Sequence, residues 1–134
     1  MSGSDASGRG ERRVERTRAH VVAEAAAAKS GSDLAILDVG DVLAIIELFV
    51  LVSANNVRQV RTIVDEVEHA LTEYDGSKPI SIEGLADASW VLLDYGDIVV
   101  HVFLDETRAY YDLDRLWGDV PRQDVDVPVP QAAT

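Results

Sequence analysis

Aspartates recur in pairs three residues apart, Asp38 with Asp41 and Asp94 with Asp97, and histidines stand at His20, His69 and His101. Carboxylate pairs can hold a metal or divide acid and base work, and imidazoles can join them, provided that the groups converge. Each aspartate pair flanks a turn, where an Asp side chain accepts hydrogen bonds from nearby backbone amides, so turn chemistry accounts for both. No two histidines have a metal-ligand spacing on one element. His69 falls opposite the apolar stripe of its helix, and His101 interrupts an otherwise apolar strand, which reads as a hydrogen-bonded structural histidine. No Ser lies in a nucleophile elbow, and no Gly-rich phosphate loop is present. The expectation is a protein that is not an enzyme, with no catalytic residues, no metal and no cofactor.

Aromatic residues point elsewhere. Trp90, Tyr95, Phe103, Tyr110, Tyr111 and Trp117 crowd into one stretch among carboxylates, although the whole chain has only 2 Trp, 4 Tyr and 2 Phe. Phe103 ends a buried run and reads as core. Trp90, Tyr95 and the adjacent Tyr110 and Tyr111 cannot all face inward, because neighbouring residues on a regular element point differently. Exposed rings beside Asp94, Asp97, Asp105 and Glu106 would make the apolar anchor and charged rim of a protein interface.

Charge narrows the class of partner. The chain has 134 residues and a formal net charge of −12. Residues 1 to 30 carry 6 basic and 4 acidic side chains, whereas residues 31 to 134 carry 6 and 20. From residue 81 to 120 the count is 2 basic against 9 acidic. Such a body lacks the basic footprint that nucleic-acid phosphates require, repels anionic lipid and is drawn to a basic protein. With no cysteine, disulfides and thiolate metal sites are excluded, which suits a reducing cytosol. The polar, charged start has no apolar core of a secretory signal, and the longest apolar run, Val42 to Phe49, is interrupted by Glu47 and too short to span a bilayer.

The elements that must position these residues form one domain over residues 11–120, with a disordered tail at 1–10 and an extended or disordered tail at 121–134. Glu11 to Lys29 predicts a helix stopped by Ser30-Gly31. Leu34 to Asp38 and Ile45 to Ser53 predict strands of a buried sheet. Asn55 or Asn56 caps the strongest helix, whose Val57, Val60, Ile63, Val64, Val67, Ala70 and Leu71 recur every three or four residues. Asp75-Gly76 and Pro79 mark a loop, and Ile80 to Glu83 a short strand. Trp90 to Asp94 and Ile98 to Phe103, split by Tyr95-Gly96-Asp97, predict a β-hairpin, and a short helix or turn follows near Glu106 to Tyr111. The order implies an α/β fold with a mixed sheet covered by helices.

Several of these stretches together resemble a known family. Asp33-Leu34-Ala35-Ile36-Leu37-Asp38, Phe49-Val50 with Ser53-Ala54-Asn55, Arg58-Gln59-Val60, Glu83-Gly84, the Trp90-to-Phe103 hairpin and Arg108-Ala109-Tyr110-Tyr111-Asp112-Leu113-Asp114-Arg115-Leu116-Trp117 are similar to the ribosomal silencing factor family, RsfS, also called Iojap. The similarity runs over roughly residues 14 to 120. It implies a mixed five-stranded sheet flanked by helices, nucleotidyltransferase-like in topology without the catalytic residues, in a cytoplasmic homodimer. It further implies binding to the large ribosomal subunit through that subunit's fourteenth protein at the intersubunit face, which obstructs joining of the small subunit and represses translation under nutrient limitation. The partner-binding residues carried over by motif are Trp90, Leu92, Asp94, Tyr95, Asp97, Tyr110 and Tyr111. Ile46-Glu47-Leu48-Phe49 departs from the Thr-Asp-Tyr-Phe run usual in the family, which touches the dimer contacts and leaves the hairpin unaffected. A nucleotide-handling enzyme on the same fold is the competing reading, and it needs a Gly-Ser loop followed by spaced aspartates that this chain lacks. A role in assembly of the large subunit would use the same surface.

Overall fold

The computed structural model describes residues 18–125. The tail expected at 1–10, the opening of the helix expected from Glu11 and residues 126–134 lie outside the described residues. The elements in chain order are α1, helical over 18–28 of the described part, β1 (Ser32–Asp38), α2 (Gly40–Leu43), β2 (Leu48–Ala54) and α3 (Val57–Asp75). There follow β3 (Ser81–Glu83), β4 (Trp90–Asp94), β5 (Ile98–Leu104), α4 (Asp105–Tyr111), α5 (Leu113–Leu116) and β6 (Arg122–Asp124).

The strands make one mixed sheet in the order β3-β4-β5-β2-β1-β6. β2 and β5 run parallel, joined by a crossover that includes α3, and every other pair is antiparallel. The sheet has six strands, which corrects the expected five. The sixth, β6, falls in the stretch expected as an extended tail. Its residues are exposed and carry no apolar period; main-chain pairing to Ala35, Ile36 and Leu37 makes it a strand, a tertiary cause that pattern reading does not register.

α3 begins at Asn56, whose side chain accepts from the Gln59 amide at 2.8 Å, and ends where Gly76 adopts the left-handed conformation, φ 79°. Val60, Ile63, Val64, Val67 and Leu71 are buried, so the three-and-four spacing lays one stripe on the sheet. α1 lies on the same face and buries Ala19, Val22, Ala23, Ala25, Ala26 and Ala27. Small side chains let its backbone approach closely. The opposite face has a smaller core of Ala35, Leu37, Val39, Phe49, Leu51, Val99, Phe103 and Leu113. Short elements cover that face, and Trp90, Leu92 and Trp117 pack at its margin, partly buried.

Candidate partner-binding surface

β4 alternates cleanly. Val91 and Leu93 are buried against the helical face, while Trp90, Leu92 and Asp94 are half-buried on the other face. This period of two places the three expected contact residues of the strand in one row. α4 supplies the next part, with Tyr110 80% and Tyr111 55% exposed. The Tyr111 ring lies 5.0 Å from that of Trp90 and 4.9 Å from that of Tyr110, edge to face in the latter case. Trp90, Tyr111 and Tyr110 therefore form one contiguous aromatic surface with Leu92 alongside on β4. Glu83, Asp105, Glu106 and Asp112 are exposed on the elements that carry or flank it.

Two buried polar devices hold this surface. Arg108, 8% exposed and two residues before Tyr110, clamps α4 to the sheet. Its guanidinium donates to both Asp114 oxygens at 3.0 and 2.9 Å, to Ser53 Oγ at 2.9 Å and to the Asp33 carbonyl at 2.6 Å. The hydrogen bonds from Arg108, joined by those from Arg122, hold the Asp114 carboxyl well below the usual carboxylate range. The second device is His101 on β5, whose Nδ1 accepts from Trp90 Nε1 at 3.2 Å. The expected structural role of His101 thus has a definite partner. Burial pushes its pKa down to about 4, so the ring is neutral near pH 7.

Two of the expected contact residues lie elsewhere. Tyr95 continues the alternation of β4 and joins the helix-covered core at 8% exposure, so it does not present the ring expected of it. Burial, with Glu68 nearby, pushes its hydroxyl up to about 12. Asp97 is tied to Arg18 of α1 at 3.1 Å, in a cluster where Arg18 also meets Asp75 at 3.0 Å and Ser77 Oγ at 3.2 Å. Asp94 behaves as the turn chemistry anticipates: its carboxylate accepts from the Gly96 amide at 2.8 Å. Sequence reasoning met Arg108 only as part of the family-like stretch and gave it no role, although an arginine two residues before a Tyr-Tyr pair in a short helical segment is the available signal. Among the described residues, no group of three or more His, Cys, Asp or Glu is placed to hold a metal ion, and no helix is long and apolar enough to cross a membrane.

Comparison with known proteins adds a family. Residues 12–134 match the family described as "Ribosomal silencing factor during starvation". The chain is 37% identical over 106 residues to Ribosomal silencing factor RsfS of Bacillus subtilis (strain 168), covering 79% of this chain and 89% of that protein. It is 36% identical over 98 residues to the protein of the same name from Halalkalibacterium halodurans, covering 73% and 83%. A crystal structure of a protein from Chromobacterium violaceum superposes with a TM-score of 0.73 at 28% identity, covering 89% of this chain and 98% of that one.

Proposed function

The chain belongs to the RsfS family of ribosomal silencing factors, and from that premise we propose that it binds the large ribosomal subunit through its fourteenth protein, obstructs joining of the small subunit and so represses translation. The action is occupancy of a surface in the cytoplasm, not catalysis. One observation carries this reading: Trp90, Tyr111 and Tyr110 form a continuous aromatic surface on the thinly covered face of an acidic domain. Aromatic anchors inside a charged rim are the usual energetic centre of an interface. Ribosomal proteins are typically basic, and the acidic body would speed encounter with one.

Pelleting with purified ribosomal subunits tests it. The protein is expected to sediment with large subunits and to lower the yield of joined ribosomes, less so as salt rises. Tyr110→Ala removes an exposed ring, so it is expected to leave the melting curve unchanged and to weaken binding by about 30-fold, the scale of a hot spot worth about 2 kcal/mol. Sedimentation with small subunits alone, or full binding by the Tyr110→Ala variant, would refute the reading.

A further inference from the structure

We propose that His101 is the positioning residue of the docking surface, holding the Trp90 indole in the half-exposed pose that a partner meets; this rests on the reading of Trp90 as an anchor. In the hairpin register Trp90 stands opposite Phe103 and Leu92 opposite His101, so Trp90 and His101 are diagonal neighbours on one face. The indole lies on the Phe103 ring, 5.2 Å between centroids at 29°, and His101 lies beside both, 5.9 Å from Phe103 at 17°. Phe49 meets the imidazole edge-on at 4.6 Å. Stacking fixes the plane of the indole, and the hydrogen bond from Nε1 to Nδ1 fixes its rotation within that plane.

The protonation state follows from the donor chemistry. An indole N–H only donates, so Nδ1 must accept, and the neutral ring then carries its proton on Nε2. That Nε2 is buried and has no hydrogen-bond partner among the described residues, while the residue as a whole is 4% exposed. An unpaired buried donor is a net cost to folding. β5 is otherwise Ile98, Val99, Val100, Val102, Phe103 and Leu104, all apolar. A leucine at position 101 would suit such a strand without the orphaned group. What a histidine adds there is an acceptor for Trp90, and local rules are broken where function requires it.

The test compares His101→Leu, which lacks the acceptor, with His101→Asn, whose Oδ1 can take the place of Nδ1. Two readouts are taken on each: the ¹⁵N–¹H indole resonance of Trp90, assigned by its loss in Trp90→Phe, and affinity for purified large subunits. His101→Leu is expected to shift the Trp90 resonance, to speed exchange of its proton and to weaken binding by about tenfold, the scale of one net hydrogen bond. His101→Asn is expected to restore both. Should His101→Leu fail to fold, His101→Val serves in its place. A Trp90 resonance unchanged by loss of the acceptor would overturn the positioning role, as would a shifted resonance with undiminished binding. Wild-type protein that does not bind large subunits would overturn the docking reading instead, and the indole measurement on the free protein tells the two failures apart.

Discussion

Arg108→Ala is expected to remove a large share of the stability of this domain. The substitution deletes an ion pair in which Arg108 is 9% and Asp114 27% exposed at the side chain. It also orphans the Ser53 hydroxyl, on a residue 1% exposed, and takes a donor from the Asp33 carbonyl. Breaking a buried pair by removing one partner costs about 3–5 kcal/mol. Asp114 keeps Arg122 at 2.7 Å and touches solvent, which puts the expected loss near the lower end, about 3 kcal/mol. With a urea slope of about 1.5 kcal/mol/M, the unfolding midpoint falls by roughly 2 M. Circular dichroism during urea titration at pH 7 reads this directly. Asp124→Ala is the control, because its pair with Arg122 is 77% exposed on the carboxylate side and such pairs contribute about 0–1 kcal/mol. Arg108→Lys is expected to recover little, since one ammonium cannot reproduce a fork that reaches Asp114, Ser53 and Asp33 together. A midpoint for Arg108→Ala equal to that of Asp124→Ala would refute the account of Arg108 as the clamp of α4.

Acidification is expected to act in two windows. His101 has its pKa lowered from 6.5 to about 4, so the unfolded chain binds more protons between those values; stability is full above about pH 6.5 and falls by up to about 3 kcal/mol towards pH 4. Asp114, held low, keeps its contribution down to about pH 4 and loses it only below. Urea midpoints at pH 7 and pH 5 that differ equally in wild type and His101→Asn would reject the first window. Gly84 has φ 90°, and a methyl group there would run into the Trp90 carbonyl, so Gly84→Ala is expected to lower stability by about 1–3 kcal/mol and to weaken large-subunit binding by displacing the start of β4. An unaltered melt would contradict it. Asn56→Ala should cost about 1 kcal/mol as a lost helix cap. Gln59→Ala should cost at least as much, because its amide accepts from Asn55 N and donates to the carbonyls of Lys29 and Ser30, joining the start of α3 to the end of α1; thermal melts compare the two.

Elements with a strong period were legible from the residues alone. The stripe of α3 and the alternation through the hairpin each repeat often enough to fix type and orientation. The start of β2 was less so, for Ile45 to Ser53 reads as one continuous strand. In the structure Ala44 has φ 60°, Ile45 is 81% exposed, and the strand begins only at Leu48. Apolar composition signals burial on average; here it belongs to a connection whose Leu43 and Ile46 tuck under the sheet while Val42 and Ile45 project. β6 failed for the opposite reason. Its residues are polar, and its cause is the open edge of β1 beside it.

At the surface, the register decides which aromatic residue can meet a partner, and composition does not. Carrying the alternation of β4 one step past Asp94 puts Tyr95 with Val91 and Leu93, on the helix side, where it is buried. The same pairing brings His101 diagonally next to Trp90, a contact readable from the hairpin once its turn is placed. The Arg18–Asp97 pair, separated by 79 residues, had no such route, because it depends on where α1 crosses the sheet. These two kinds of contact predict different mutational behaviour. Changing Asp97 should disturb the seat of α1 through Arg18, whereas changing Trp90, Tyr110 or Tyr111 should be felt by whatever docks on the opposite face. Asp97→Asn is accordingly expected to weaken pelleting with large subunits less than Tyr110→Ala does. A larger loss for Asp97→Asn, with its melting curve unchanged, would move the docking surface from the face of β4 and α4 to the turn between β4 and β5.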